Sequence, residues 1–122
     1  MSQIRDICAV KKVVMEAHAR QTIKTFSRSV KLELGKYIFQ LQLGHKLTMP
    51  ASRPMPSIGL GVSEIRVRDE AGIYRVFYYL KVKDKVLIFH AFNKKTQATP
   101  KEEINLGKVR LNKLLQEEKN EY

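Results

Sequence analysis

The chain has 122 residues, of which 23 are Lys or Arg and 12 are Asp or Glu, so its formal net charge is +11 at neutral pH. This length buries one substantial core but not two, and we predict a single domain over residues 1–122. So large a charge is useful only toward an acidic partner or substrate, with nucleic acid as the first candidate. A basic protein that is merely soluble is the other interpretation.

Cysteine content and hydropathy exclude further classes of protein. The single cysteine, Cys8, cannot form an internal disulfide, and no second cysteine or paired histidine has the spacing of a zinc site. The apolar stretch near the N-terminus is short and is broken by Lys11 and Lys12, which argues against a signal peptide and a membrane span there. We therefore predict an intracellular, cytoplasmic protein with no metal and no other cofactor.

The first half of the chain predicts an edge strand followed by two helices. Short β-prone runs within the first fifteen residues indicate the strand, and a polar helix is predicted from Glu16 to about Thr25. Ser27 is a suitable N-cap for the next helix, and Gly44 stands where a C′ glycine ends one. Apolar residues recur on one face between them, at Val30, Leu34, Tyr37, Ile38 and Leu41. The spacing is typical of a core-facing helix, and the alternative is a binding patch of Tyr37 and Phe39.

The second half predicts a sheet. Three prolines and two glycines between Leu47 and Gly61 indicate a loop rather than a helix or a central strand. Two strands follow around a polar turn at residues 69–72, and Lys83-Asp-Lys makes another turn. The apolar run Val86–Phe92 is typical of a central strand buried on both faces.

A C-terminal helix has the clearest boundary in the chain. Thr99 as N-cap, Pro100 at N1 and Glu102 at N3 form a capping box. The helix should pack through an apolar stripe at Ile104, Leu111, Leu114 and Leu115. Together the elements predict an α+β fold, in which a small antiparallel-rich twisted sheet packs against N-terminal helices and is followed by a C-terminal helix.

Cationic side chains recur on one face of the two predicted strands. Alternation places Glu64, Arg66 and Arg68 together, with Ile65 and Val67 on the opposite face. If these two apolar residues mark the core, antiparallel pairing brings Arg66, Arg68 and Arg75 onto one open face. Lys94 and Lys95 follow at the end of the buried strand.

Such a set suits RNA cleavage without a metal. The ribose 2′-OH attacks the adjacent phosphate, a base takes its proton, an acid protonates the leaving 5′-oxygen, and cations stabilise the phosphorane. The candidate catalytic residues are Arg68, Arg75, Lys94 and Lys95, and Arg66 joins these four in the candidate RNA-binding set. A solvated strand face is the alternative interpretation of these charges.

Two further side chains are candidates with simpler alternatives. His90 lies in the same region and is a possible general acid or base, but it alternates with Ile88 and Phe92 in an apolar strand, which favours a hydrogen-bonded core histidine. Glu64 is a candidate proton acceptor, and the interpretation we favour is an ion pair with Arg66.

Three segments between residues 54 and 110 resemble the phage-derived HigB-like toxins of the RelE/ParE superfamily. They contain Tyr74-Arg-Val-Phe-Tyr, Phe92-Asn-Lys-Lys-Thr and Thr99-Pro-Lys-Glu-Glu-Ile. The resemblance implies a RelE-like toxin that enters the ribosomal A site and cleaves mRNA there, neutralised by a helix-turn-helix antitoxin of the HigA type. The helical first half agrees with the family in element type and order.

The resemblance also implies roles for individual residues. Arg75 looks like the phosphate-binding arginine of RelE-type toxins, and Arg66 and Arg68 fall where those enzymes place basic residues on the preceding strand. Lys95 falls where RelE has an arginine, and Lys94 matches the neighbouring lysine. RelE uses a C-terminal tyrosine near the scissile phosphate that has no counterpart in residues 97–105, which leaves proton transfer to Lys94, Lys95, His90 or the ribosome.

Two other functions fit the same fold. ParE-type toxins inhibit DNA gyrase by binding and perform no RNA chemistry, and shared fold does not separate the two activities. The convergence of Arg68, Arg75, Lys94 and Lys95 favours the nuclease. A noncatalytic RNA-binding module would instead expose aromatic rings between the charges, and Phe77 and Tyr79 are the candidates, although burial against a helix is the interpretation we favour.

Overall fold

The computed structural model describes residues 10–94 and 99–119. These residues form five strands and three helices, which confirms the predicted α+β class. In chain order they are β1 Lys12–Met15, α1 Ala17–Lys24, α2 Arg28–Gln42, β2 Ser52–Pro54, β3 Val62–Asp69, β4 Gly72–Tyr79, β5 Lys85–Lys94 and α3 Lys101–Lys119.

The strands form one open sheet in the order β1-β5-β4-β3-β2. β1 pairs with β5 in parallel and lies at the edge, as predicted, while the other neighbours are antiparallel. β5 lies between β1 and β4, and residues 86–92 are buried, which confirms the prediction of a central strand. β2 lies within the segment that was predicted to be a loop, so this strand was missed. The prolines argued against a central strand, but β2 lies at the sheet edge, where a proline is tolerated.

Helices cover both faces of the sheet. α1 and α2 pack on the face that carries Ile65, Val67, Tyr74, Val76 and Ile88. α3 packs on the other face through Leu111 and Leu114, against apolar side chains that include Phe77, Leu87, Phe89 and Phe92. The predicted stripe of α3 is confirmed, with Ile104 and Leu115 partly buried beside the two leucines. Phe77 is therefore buried against a helix.

The helix boundaries follow the predicted caps with one exception. Ser27 accepts a hydrogen bond from the Val30 amide at the start of α2, and Gly44 has φ +87° after its end. α3 begins at Lys101 rather than directly after Thr99. The Thr99 hydroxyl accepts hydrogen bonds from two arginines, so this side chain connects the sheet to the start of α3.

A β-bulge in β5 changes which side chains face α3. Phe77 pairs with His90, but the next residue, Tyr78, pairs with Ile88, so Phe89 is the extra residue. Phe89 packs on the α3 side and His90 contacts side chains of α3, while Ile88 lies in the core beneath α1 and α2. Strict alternation, which grouped His90 with Ile88, was wrong because the bulge places two consecutive side chains on one face.

Among the helices in the described ranges, none combines the length and apolar character needed to cross a membrane.

Candidate nucleic-acid interface

Three guanidinium groups surround one buried carboxylate on the α3 face of the sheet. The Glu64 side chain has no exposed surface. Its Oε1 lies 3.1 Å from Arg53 Nε and 3.6 Å from Arg66 Nε, and its Oε2 lies 3.5 Å from Arg75 Nη1. The favoured interpretation of Glu64 as an ion-pair partner of Arg66 is confirmed, and two more arginines share it.

Thr99 joins this group to α3. Its hydroxyl oxygen accepts a hydrogen bond of 2.8 Å from Arg75 Nη1 and one of 3.2 Å from Arg53 Nη2. We refer to Arg53, Glu64, Arg66, Arg75 and Thr99 as the arginine cluster. Because its members come from three strands and the residues before α3, the cluster forms only when the sheet and α3 are assembled.

The arginine cluster carries more positive than negative charge. Arg66 on β3 lies directly opposite Arg75 on β4, an arrangement that is unfavourable for like charges. Burial, and then the neighbouring charge of Arg75, lower the pKa of Arg66, while Glu64 opposes the shift. Three cations against one anion leave a local positive potential that an incoming phosphate would neutralise.

The prediction that the arginines share one face is confirmed, but the prediction that this face is open to solvent is wrong for Arg66 and Arg75. Arg66 and Arg75 share a face, as alternation required. The side chain of Arg75, however, has no exposed surface, and only 12% of the Arg66 side chain is exposed. The physical reason is the segment entering α3, because Thr99 lies against Arg75. The sequence analysis did not include Arg53 in the site, because the prolines around it indicated a loop rather than a strand.

A second buried polar group lies beneath the first turns of α3. His90 Nε2 is 2.7 Å from Glu103 Oε1, and Arg110 Nη1 is 2.8 Å from His90 Nδ1. Arginine only donates, so Nδ1 must accept and Nε2 carries the proton that is donated to Glu103. We refer to His90, Glu103 and Arg110 as the histidine cluster. Both ring nitrogens of His90 are used, as the core interpretation predicts.

The surroundings of His90 keep the imidazole neutral. Burial is the main cause that lowers the pKa of His90, and the charge of Arg110 adds to it, while the hydrogen bond to Glu103 acts in the opposite direction. The ring also contacts Phe77 and Phe92, each with centroids 5.5 Å away. A neutral ring in this tautomer satisfies both of its charged neighbours.

Lys94 lies beside the histidine cluster rather than the arginine cluster. Its Nζ is 4.0 Å from Glu103 Oε2, and 44% of its side chain is exposed. Lys95, the other predicted lysine, lies outside the described residues.

The paired residues form three rows across β3, β4 and β5, all on the α3 face. The rows are Glu64–Phe77–His90, Arg66–Arg75–Phe92 and Arg68–Ile73–Lys94. The first row is buried throughout, and in the second only Arg66 retains exposed surface beyond a few per cent. The third presents exposed Arg68 and Lys94, two interstrand spacings or about 10 Å apart at the backbone. The accessible cations therefore lie at the end of the sheet, next to the buried ones.

The sequence of the chain matches the model of a known protein family. The model of the phage-derived Gp49-like protein family (DUF891) matches residues 21–112, which is most of the chain. The chain belongs to the Gp49-like family. This family is associated with toxins of RelE/HigB-like toxin–antitoxin systems. A search of curated proteins finds no match.

The region shared with the Gp49-like family contains both clusters. It runs from within α1 into α3, and thus includes every member of both clusters, from Arg53 to Arg110. Across residues 10–94 and 99–119 of this Gp49-like protein, no three His, Cys, Asp or Glu side chains are grouped so that they could hold a metal ion. The chemistry offered by the described part of the site is that of guanidinium and ammonium groups.

Proposed function

We propose that this Gp49-like protein is the toxin of a type II toxin–antitoxin system and acts in a HigB-like manner, as an endoribonuclease that cleaves mRNA in the ribosomal A site. The observation that carries the proposal is the exposed row of Arg68 and Lys94 beside a cluster in which three guanidiniums share one carboxylate. A polyanion is the ligand that such an arrangement stabilises.

In the proposed reaction the ribose 2′-oxygen forms a bond to phosphorus, and the bond from phosphorus to the 5′-oxygen breaks. Arg68 and Lys94 contact the phosphate oxygens from the two ends of their row and offset the charge that develops in the phosphorane. Lys95, which follows Lys94 in the chain, joins them in the proposed RNA-binding set. The 2′-proton is taken by the ribosome or by Lys95 as a neutral amine, because Lys94 acts as a cation and His90 already uses both ring nitrogens. The leaving 5′-oxygen takes up a proton from a lysine ammonium or from the ribosome, which gives a 5′-hydroxyl and a 2′,3′-cyclic phosphate.

The buried arginine has a positioning role in this proposal. Arg75 has no exposed surface and bonds to Glu64 and Thr99. It fixes the carboxylate on which Arg53 and Arg66 converge, and those two side chains reach partial exposure, 33% for Arg53 and 12% for Arg66. Arg75 thereby sets the geometry of arginines nearer the RNA without needing to contact it.

Of the proposed partners, the RNA follows from the charge and the antitoxin from the resemblance to HigB-like toxins. A net charge of +11 would steer the protein onto ribosomal RNA before it engages mRNA. A helix-turn-helix antitoxin of the HigA type would neutralise it. We propose no metal and no cofactor for the reaction.

A noncatalytic RNA-binding function is the second candidate, and two observations favour it. Arg75 is shielded, and His90 has no free nitrogen to exchange a proton with substrate. A cationic surface without a proton acceptor binds RNA but does not cleave it.

Primer extension on a defined mRNA in a purified translation system, with and without ribosomes, tests the proposal. Wild type should cut in the A-site codon only when ribosomes are present, and Arg68→Ala and Lys94→Ala should each weaken the cut. Lys83→Ala is the matched control, because it removes one exposed charge from the β4–β5 turn at the other end of the sheet.

Intact mRNA in every reaction would reject the nuclease. Filter binding to ribosomal RNA would then test the noncatalytic candidate, and a DNA supercoiling assay would test ParE-type inhibition of gyrase.

A further inference from the structure

A cleft lies between α2 and the uncovered part of β3. β2 pairs with β3 only at residues 63–65, and the Arg66 amide donates to the Ala51 carbonyl as β2 begins. Beyond this point a cleft of about 290 Å³ opens, lined by Glu33, Tyr37, Pro50, Ala51, Arg66 and Arg68. It therefore shares two arginines with the proposed RNA surface.

The cleft combines three kinds of chemistry. Glu33 and Tyr37 are four residues apart on α2, so their side chains are neighbours on one side of the helix. Tyr37 is half-buried and packs against the core, which holds its ring in place, whereas Glu33 is exposed. Arg66 and Arg68 line the cleft from β3; Arg68 is exposed, and the Arg66 guanidinium lies against Glu64 with 12% of its side chain exposed. An aromatic ring, an acceptor and a cationic pair match the base, the base edge and the phosphate of a nucleotide.

The carboxylate selects among the bases. An ionised carboxylate only accepts hydrogen bonds, and it accepts two in parallel when two donors are adjacent. Guanine presents the adjacent donors N1–H and N2–H on its Watson–Crick edge. Adenine and cytosine place an acceptor nitrogen beside the amino group, and uracil places carbonyls on both sides of its one N–H. The second carboxylate oxygen therefore meets a donor only in guanine.

We propose that this cleft binds one guanine nucleotide of the RNA, with the base stacked on Tyr37 and held by Glu33, and with its phosphate on Arg66 and Arg68. The inference rests on the proposed action on RNA and adds a base preference to it. It also explains why a carboxylate lies in an otherwise cationic part of the surface.

Titration of isotope-labelled protein with 5′-GMP, 5′-AMP, 5′-CMP and 5′-UMP, followed by amide chemical shifts, tests the cleft without requiring cleavage. GMP should bind on the order of tenfold more tightly than UMP and should shift the amides of residues 33–37 and 66–68. Arg68→Ala should weaken all four nucleotides alike, because it removes a phosphate contact.

Two glutamate variants separate base recognition from general charge. Glu33→Gln should lose the preference for GMP and gain affinity for AMP, because a carboxamide offers one donor and one acceptor. Glu117→Gln makes the same charge change at an exposed position on α3 and should keep the preference for GMP. A merely structural role of Glu33 would not exchange one base for another.

Equal affinity for the four nucleotides would overturn the proposal, as would inorganic phosphate producing the same shifts at residues 33 and 37 as GMP. Failure of the nuclease proposal gives a different result. Wild type would then leave mRNA intact on ribosomes while still preferring GMP, and the cleft would stand as the base site of a noncatalytic RNA-binding protein.

Discussion

The two faces of the sheet are stabilised in different ways. Beneath α1 and α2 the core is apolar, and its buried polar contacts include one of 2.7 Å between the Ser52 and Tyr78 hydroxyls and one of 2.9 Å from the Ala19 amide to the Glu16 carboxylate at the start of α1. Beneath α3 the sheet buries the charged side chains of Glu64 and Arg75 and the imidazole of His90. Buried ions lose several kcal/mol each in solvation, and well-packed apolar residues often serve stability as well or better. Stability alone therefore does not explain the charged groups buried on the α3 face.

The α3 face itself divides at its two polar clusters. The histidine cluster sets a partly buried carboxylate and a partly buried guanidinium against a neutral ring, so the charges of its three members balance. The arginine cluster sets three guanidiniums against one carboxylate. A balanced cluster fastens α3 to the sheet, whereas an unbalanced one retains affinity for an anion. This excess of positive charge supports the proposal that the arginine cluster borders the RNA surface.

Of the substitutions on the two faces, removal of the Glu64 carboxylate should cause the largest loss of stability. Glu64→Ala leaves three guanidiniums facing one another in a buried site, and we expect the free energy of unfolding to fall by about 3–5 kcal/mol. Urea denaturation followed by circular dichroism measures the loss. Ile65→Val, the next residue on the same strand but on the apolar face, is the control, with an expected loss of about 0.5–1.5 kcal/mol.

Equal losses in these two variants would show that Glu64 does not hold the arginines. Glu64→Gln refines the test, because it keeps the shape of the side chain and removes only the charge. Its loss of stability should fall between those of the other two variants.

Arg68, in the exposed row Arg68–Ile73–Lys94, should affect RNA binding without affecting stability. Arg68→Ala removes one phosphate contact, and we expect RNA affinity to fall roughly tenfold to hundredfold while the free energy of unfolding stays within about 0.5 kcal/mol of wild type. Filter binding over a range of salt concentrations also measures the number of contacts. The slope of log affinity against log salt should decrease by about one.

Arg75 gives the opposite expectation. The sequence placed it on an open face, where its removal would leave the fold intact, but burial against Glu64 and Thr99 now predicts that Arg75→Ala destabilises the protein. An Arg75→Ala protein as stable as wild type would contradict the positioning role.

Alanine substitutions at two helix glycines test the close packing of α3 on the sheet against the open side of α2. A Cβ at Gly107 would lie 3.1 Å from Phe77 Cδ2 and 3.5 Å from Phe89 Cε2, and both rings are fully buried. A Cβ at Gly35 would meet no atom within 4 Å. We expect Gly107→Ala to lower the free energy of unfolding by about 1 kcal/mol, and Gly35→Ala to raise it by roughly 0.5–1 kcal/mol through helix propensity.

Thermal and urea unfolding of the two alanine variants measure both signs. Stabilisation by Gly107→Ala would mean that α3 can move away from the sheet without loss, and the close packing of this face would then carry no specificity.

Local signals in the sequence were enough to place most of the fold. Helix caps, turns and apolar periods act over a few residues, so α2 could be predicted between Ser27 and Gly44, and the predicted strand Val86–Phe92 lies within β5. The period of two along β3 also placed Arg66 and Arg75 on the same face. What lay beyond prediction depends on tertiary contacts.

Three features of the site show this dependence. The bulge at Phe89 turns His90 toward α3, and no residue type in β5 marks it. The strand that carries Arg53 is only three residues long and forms because β3 offers an unpaired edge. Thr99 has the residue type of an N-cap, yet its hydroxyl bonds to two arginines that only the folded chain brings there.

The pH dependence of stability should distinguish the histidine cluster from the arginine cluster. Burial lowers the pKa of His90 from its ordinary value of 6.5, so the folded protein binds fewer protons at this site than the unfolded chain. The free energy of unfolding should therefore fall as the pH drops below about 6.5, by less than about 1.4 kcal/mol per pH unit. Urea midpoints of wild type and His90→Gln at a series of pH values test this, and the variant should show the flatter profile between about pH 7 and pH 5. Parallel profiles would mean that His90 accepts its proton in the folded state, and Arg110 would then have to move away from Nδ1.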